Sequence, residues 1–321
     1  MAENITQAPL IEVRHVKKYF DVPSGKNHAV DDVSFTINKG ETLGVVGESG
    51  CGKSTLGRTV IRLHEATDGE VLLNGEDITH AKGHKLHEVR EKCQIVFQDP
   101  YSSLNPRKNI KTTIEEPLKH TKLSRADQKK RANELMELVG IDERLRESYP
   151  HELDGGRRQR VGIARALALN PEFIVCDEPV SALDVSIQAQ VLNLLMDLQD
   201  SLGIAYMFVT HDLSVVKHIS DHIAVMYLGQ LVEKCETNEL FRSPLHPYTK
   251  ALLSAIPITN IHKPMQRIPM KGEITSPINP KPGCRFASRC PYATEACQQP
   301  QELVEIAPEH FVSCCRVKEL N

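Results

Sequence analysis

Gly47-Glu48-Ser49-Gly50-Cys51-Gly52-Lys53-Ser54 fills every fixed position of the phosphate-binding pattern G-x-x-x-x-G-K-[ST]. The preceding stretch, Thr42-Leu43-Gly44-Val45-Val46, has the length and β-branched content of a buried strand, and Thr55-Leu56-Gly57-Arg58-Thr59-Val60-Ile61 continues as a helix. Strand, loop and helix is the setting that separates a nucleotide site from a glycine-rich turn. The glycines let the backbone close around phosphates, successive N–H groups point inward at a helix N-terminus, Lys53 reaches the β and γ oxygens, and Ser54 supplies a hydroxyl for Mg²⁺. The expected ligand is therefore a nucleoside triphosphate with Mg²⁺, held by Gly47, Glu48, Ser49, Gly50, Cys51, Gly52, Lys53, Ser54 and Thr55.

The chain of 321 residues has room for one core of about 200 to 250 residues and a smaller appendage, so two unequal domains are expected. A net charge of −3 with 25% charged residues points away from nucleic acid and from a strongly anionic membrane surface. No apolar run approaches the roughly eighteen residues of a membrane span, and Met1-Ala2-Glu3-Asn4 lacks a basic-then-apolar leader pattern. A cytosolic setting is the expectation, and in it nine cysteines suit packing or metal binding better than disulfides. Cys51, Cys93, Cys176 and Cys235 are scattered, whereas Cys284, Cys290, Cys297, Cys314 and Cys315 crowd the end.

From Ile11 to about Val71 short strands are punctuated by Gly and Asp, as in Val30-Asp31-Asp32-Val33-Ser34-Phe35-Thr36-Ile37. About residues 100–165 the pattern turns helical: Ser124-Arg125-Ala126-Asp127 opens like a capping box, Leu135, Leu138 and Val139 keep helical spacing, and Gly140 stops it. Phe173-Ile174-Val175-Cys176 then reads as a strand. A helix from about Ile187 carries Val191, Leu194, Leu195 and Leu198 on one face, and Tyr206-Met207-Phe208-Val209 is a further strand. Alternating strands and helices predict a largely parallel sheet. Ile223–Met226 and Leu231–Cys235, joined across Gly229-Gln230, read as a closing hairpin, and beyond Leu240 prolines multiply.

The strand 173–176 ends in Asp177-Glu178, followed by Pro179-Val180-Ser181-Ala182-Leu183-Asp184. With the phosphate loop, this sequence resembles the nucleotide-binding subunits of ABC transporters over about residues 11–240, five separated motifs falling in the family's order. The resemblance implies an α/β fold: a P-loop ATPase with a RecA-like core, an N-terminal antiparallel β subdomain, a helical insertion and, here, a C-terminal extension over 241–321. It implies that Asp177 holds Mg²⁺ and that Glu178 polarises the water attacking the γ-phosphate. Gln98, in Val96-Phe97-Gln98-Asp99-Pro100, resembles the glutamine that senses the γ-phosphate and Mg²⁺ and couples to the membrane subunits. His211, in Val209-Thr210-His211-Asp212, resembles the switch histidine that contacts the γ-phosphate and orients Glu178. Phe20 resembles the aromatic that stacks on adenine, with Tyr19 the second candidate and core packing the alternative for either; Asp184 resembles the residue that communicates across the dimer.

The family's hallmark Leu-Ser-Gly-Gly-Gln is here Leu153-Asp154-Gly155-Gly156-Arg157. In the family this segment caps the γ-phosphate bound by a partner subunit. Aspartate caps a helix as well as serine does, but an ionised carboxylate about 4 Å from a phosphate oxygen costs on the order of 1 to 4 kcal/mol per unit charge. Arg157 can offset this by pairing with the phosphate or with Asp154. The expectation is a heterodimer with unequal composite sites, in which the one built on Lys53, Glu178 and His211 hydrolyses ATP and the one bearing Asp154, Gly155 and Gly156 hydrolyses poorly. The alternative is that Asp154 swings aside with little effect.

His246-Pro247-Tyr248-Thr249-Lys250-Ala251-Leu252-Leu253 and the late cysteines resemble the C-terminal extension of peptide-importer ATPases, a group that includes dipeptide, oligopeptide and nickel importers. Gly50–Arg58 looks closer to the second, F-type ATPase of these heteromeric systems than to its D-type sibling. Cys284, Cys290, Cys297 and Cys314 are spaced C-x5-C-x6-C-x16-C, unlike a zinc-knuckle pair; the spacing alone leaves a cluster, zinc and no metal open. The resemblance implies a four-iron, four-sulfur cluster, with Cys315 as the spare. It also implies a peripheral ATPase on the cytoplasmic face of the inner membrane, with a second ATPase subunit, two transmembrane permease subunits and an extracytoplasmic substrate-binding protein. A soluble ABC ATPase would carry a long coiled-coil insertion or a second module, and a non-hydrolysing regulatory subunit would not need Lys53, Asp177, Glu178 and His211 together.

Overall fold

The computed structural model describes residues 8–256, 267–270, 272 and 275–320; the leader pattern sought at Met1–Asn4 lies outside them. Two sheets organise the chain. The first is antiparallel, in the order β2-β1-β4-β5, from β1 (Ile11–Val22), β2 (Gly25–Ile37), β4 (Asp68–Leu73) and β5 (Glu76–Asp77). The second has eight strands in the order β11-β12-β10-β9-β3-β8-β7-β6. Its parallel part comprises β3 (Thr42–Val46), β6 (Cys93–Val96), β7 (Phe173–Asp177), β8 (Ala205–Thr210) and β9 (His222–Tyr227). Strand β10 (Gln230–Glu236) turns back on β9 as the expected hairpin, and β11 (Val304–Ala307) and β12 (His310–Val312) follow at the edge.

Every residue of β3, β7 and β8 is buried, as a strand covered on both faces requires. Alternation then divides the core in two. Val45, Val175, Met207, Val209 and Ala224 pack under the antiparallel sheet with α1 (Lys53–Val60). Ile174, Cys176, Tyr206, Phe208, Ile223 and Val225 face the other way, into a core shared with the helices of the second half.

After α2 (Gly83–Lys92) come α3 (Pro100–Ser103), α4 (Ile110–Leu118) and α5 (Arg125–Leu138), which form the helical insertion with α6 (Gly155–Leu167). Ser124 caps α5, its hydroxyl accepting from the Asp127 N–H at 3.2 Å, and Gly140 leaves the helix at φ +68°. Helix α7 (Val185–Leu202) begins two residues earlier than its apolar stripe suggests and buries Val191, Leu195 and Leu198. Helix α8 (Leu213–Ile219) follows β8, α9 (Thr237–Arg242) follows β10, and α10 (Pro247–Ser254) and α11 (Val317–Leu320) belong to the tail.

Within the expected C-terminal extension over 241–321, strand β12 pairs with β10 and so adds to the central sheet. A buried carboxylate ties the extension in: Glu233 of β10 accepts from the N–H groups of Leu245 at 2.7 Å and His246 at 2.9 Å and pairs with His310 Nε2 at 2.8 Å. Such a carboxylate is tolerable only because its partners satisfy it.

Candidate active site

Strand β3 lies inside the parallel sheet, between β9 and β8, so the loop leading to α1 sits at the carboxyl edge of the strands, where ligands bind in such sheets. Gly47 has φ +157° and Gly52 φ +106°; a Cβ on either would approach Met226 O to 2.1 Å or Ala29 O to 1.9 Å. Gly52 caps α1 without a side-chain hydrogen bond, which leaves the first-turn N–H groups for an anion. Lys53 is buried and folds over the loop, its Nζ donating to Gly47 O at 2.8 Å and Glu48 O at 3.0 Å. These residues floor a cavity of about 700 Å³ that is also lined by Phe20, Asn27, Thr55, Gln98, Glu178 and His211. Cys51 is turned inward, with its Sγ 3.9 Å from Lys53 Nζ, and burial raises its thiol pKa.

The carboxylates meet the loop from β7. Ser54 Oγ donates to Asp177 Oδ1 at 2.6 Å, while Arg58 Nη2 donates to Asp177 Oδ2 at 3.1 Å. Hydroxyl and carboxylate oxygens this close are the hard donors Mg²⁺ takes, so the residues fit the ion. Glu178 gathers the other predicted residues: Gln98 Nε2 donates to its Oε2 at 2.9 Å, and His211 Nδ1 lies 3.4 Å from the same oxygen. Gln98 thus addresses Glu178 in this geometry rather than the Ser54–Asp177 pair.

Two features here escape motif reading. Arg58 braces Asp177, and Glu178 sits at φ +47°, where a non-glycine residue is held at a cost of about 1 kcal/mol. Its N–H is pinned to Val209 O at 2.9 Å, so β8 maintains the conformation.

Phe20 lines the cavity, edge-on to His64, whereas Tyr19 stacks on His28 with ring centroids 4.0 Å apart and hydrogen-bonds Asp31. Asp154, Gly155 and Gly156 stand apart from the cavity at the start of α6. Asp154 Oδ1 accepts from the Arg157 N–H at 2.8 Å, and its Oδ2 lies 3.3 Å from Arg157 Nη1, both side chains being more than half exposed. Asp184 caps α7 without a side-chain bond.

The tail reaches this site at points the sequence does not announce. The Tyr248 hydroxyl accepts from the Glu48 N–H at 2.9 Å, Arg289 grips the Glu48 carboxylate through both terminal nitrogens, at 2.7 and 3.1 Å, and Leu252 lines the cavity. Arg285 bonds Asp31 and Leu228 O, and Pro277 and Asn279 bond the backbone at His28 and Lys26. These partners lie far apart in the chain, so no local pattern could expose them. His246-Pro247-Tyr248 was the one signal, legible only as a mark of resemblance.

Cys284, Cys290, Cys297 and Cys314 line one cavity of about 10 Å³ beside His246 and Phe286, and all are unpaired thiols. Burial pushes the Cys284 thiol up to about 12 and raises Cys290 and Cys314. At Cys297 burial is outweighed by hydrogen bonds from the Thr294 N–H and hydroxyl, and its thiol falls below the ordinary value. Cys315 Sγ is 3.9 Å from Cys297 Sγ. Four converging cysteines are a chemically fitting donor set for soft metals. A cavity of this size holds about one water, however, and among the described residues no three or more His, Cys, Asp or Glu are already placed to hold an ion. The expected cluster therefore requires these thiols to part and ionise.

Residues 30–181 match the family described as "ABC transporter", and residues 232–297 match "Oligopeptide/dipeptide transporter, C-terminal region". The oligopeptide transport ATP-binding protein AppF of Bacillus subtilis is 52% identical over 96% of this chain and 97% of its own length. OppF of Salmonella typhimurium is 50% identical over 97% of both chains, and the dipeptide transport ATP-binding protein DppF of Escherichia coli is 46% identical over 99% of this chain and 97% of its own. Among solved structures, cbiO1 of Clostridium perfringens superposes with a TM-score of 0.66 at 27% identity, covering 73% of this chain and 91% of that one. The ATP-binding cassette MJ0796, a dimer bound to ADP and phosphate, gives 0.64 at 29%, covering 71% and 98%. Phosphate loop, paired carboxylates, tail and relatives agree: the chain belongs to the ABC transporter ATPases, among the ATP-binding proteins that carry the oligopeptide/dipeptide transporter C-terminal region.

Proposed function

We propose that this protein hydrolyses ATP to power import of oligopeptides or dipeptides, working at the cytoplasmic face of the inner membrane. Its partners in this reading are a second, different ATPase subunit, two membrane-spanning permeases and an extracytoplasmic substrate-binding protein. Among the described residues no helix is long and apolar enough to cross a membrane, in keeping with a peripheral subunit. The names of the relatives favour peptides over nickel.

The observation that carries the reading is the convergence of Gln98 and His211 on one oxygen of Glu178, at the wall of a cavity floored by Lys53. Phosphates entering the loop draw Lys53 Nζ off the carbonyls of Gly47 and Glu48, since a phosphate oxygen is the stronger acceptor. Ser54 and Asp177 would hold Mg²⁺, which spreads the charge developing on the phosphoryl oxygens. Glu178 accepts a proton from the attacking water, and Gln98 and His211 fix its carboxylate and report whether the γ-phosphate is present. Phe20 stacks on the base at the other end of the cavity. With Glu178→Gln, the assembled transporter should bind ATP but lose at least about a hundredfold in turnover; retained turnover would assign the base elsewhere.

Asp154, Gly155 and Gly156 act, in this reading, on ATP bound to the partner ATPase, with Arg157 already screening the Asp154 carboxylate. The two composite sites are therefore unequal, the weaker being the one that uses Asp154. Residues 1–240 are the ATPase unit and 241–321 an extension, in which Cys284, Cys290, Cys297 and Cys314 hold a four-iron, four-sulfur cluster that cross-links the tail. Protein purified anaerobically should contain iron and acid-labile sulfide in equal amounts; stoichiometric zinc, or neither metal, overturns that assignment.

A further inference from the structure

The residue after Gly47 in the phosphate loop is an acid, and an acid beside a polyphosphate is a liability. Glu48 lines the nucleotide cavity, and its own carbonyl already accepts from Lys53 Nζ at 3.0 Å. A free Glu48 carboxylate would repel the incoming phosphates and compete with them for the Lys53 ammonium. Its charge is instead taken up by the tail. Arg289 Nη1 and Nη2 lie 2.7 and 3.1 Å from the two Glu48 oxygens, a forked arrangement that fixes direction as well as charge. Arg289 is 7% exposed; Tyr227 offers its hydroxyl at 3.5 Å, and the guanidinium sits 6.0 Å from that ring's centre. The Tyr248 hydroxyl holds the Glu48 N–H from the same side. The Glu48 bond is the main cause that raises the Arg289 pKa, so the guanidinium keeps its charge.

We propose that Arg289 is a positioning residue for ATP binding: by neutralising and orienting Glu48, the C-terminal extension sets the affinity of the phosphate loop. The proposal rests on the reading of the 700 Å³ cavity as the nucleotide site. It also gives the extension a task inside the ATPase cycle. The turn from Cys284 to Cys290 is held by Ala287 N–H to Cys284 O and Cys290 N–H to Phe286 O, and it carries Arg289, so the thiol cavity and the phosphate loop are attached to one hydrogen-bonded turn.

The test uses the full chain and a fluorescent ATP analogue, mant-ATP, with Mg²⁺. Arg289→Ala should weaken binding on the order of tenfold, raising KM more than it lowers kcat. Arg289→Lys, which keeps the charge and loses the fork, should fall between. The double variant Glu48→Gln/Arg289→Ala should recover most of the lost affinity, because removing the acid removes what Arg289 neutralises. A purely structural Arg289 predicts no such recovery, and either that outcome or unchanged affinity in Arg289→Ala overturns the proposal. Failure of the unaltered protein to bind mant-ATP would instead overturn the assignment of the cavity.

Discussion

On the function proposed above, the molecule has phosphate-facing machinery at two places, and they are unequally made. Around Lys53 the predicted groups meet in pairs: Ser54 hydrogen-bonds Asp177, Gln98 hydrogen-bonds Glu178, and His211 Nδ1 lies 3.4 Å from the same Glu178 oxygen. At the start of α6 the geometry is equally orderly, with Asp154 capping the helix and pairing with Arg157, but the charge is wrong for capping a phosphate. The difference teaches that fold and chemistry can be separated at one residue. Helix capping asks only for an oxygen acceptor, which aspartate supplies, whereas phosphate binding asks for a donor or a neutral group.

The comparison breaks most decisively at Glu178. Glu178→Gln in this chain should reduce turnover of the assembled transporter by at least about a hundredfold, while the matching change in the partner ATPase should cost far less. Equal losses would mean that Asp154 is tolerated and the two sites are alike. A smaller effect, of opposite sign, is expected at the other place: Asp154→Ser should raise turnover about two- to tenfold once the local charge is gone, Arg157 having already screened part of it. Unchanged ATP hydrolysis and transport in that variant would sink the unequal-site reading.

The smallest effect lies away from both sites and calibrates them as a change in stability without chemistry. His222 Nδ1 bonds Glu41 Oε1 at 2.8 Å, and this bond is the main cause raising the His222 pKa above 6.5. The stability it contributes is fully present below pH 6.5 and is lost as the pH rises through the raised value. Melting temperatures of the unaltered protein should therefore decline over that window, and His222→Gln should flatten the decline while leaving ATP affinity intact.

Part of the active centre was legible through local grammar. The loop with four fixed positions carries its signal within a few residues, whereas the strand-end acids and the strand-end histidine became legible only through the order of motifs that carries the family resemblance. The parallel sheet, the hairpin β9–β10 and the capped helix α5 were legible as the loop was, since period and end signals are short-range. Arg58 was hidden because an arginine on a helix announces nothing until its partner on β7 is known. The left-handed backbone of Glu178 was hidden because its support comes from β8.

By itself the sequence determined a phosphate loop and so a nucleoside triphosphate as ligand; the family resemblance of its motifs gave the two acids, the glutamine and the histidine their expected parts in hydrolysis, and the late cysteines marked a distinct C-terminal region. Only the tertiary structure decided how these parts depend on one another. It joins that region to the central sheet through buried Glu233, and it sets Arg289 on Glu48 across most of the chain's length. Hydrogen bonds and ion pairs are short-range in space but indifferent to sequence separation. A contact between two ends of a chain is therefore created by the fold that brings them together and leaves no pattern in either segment alone.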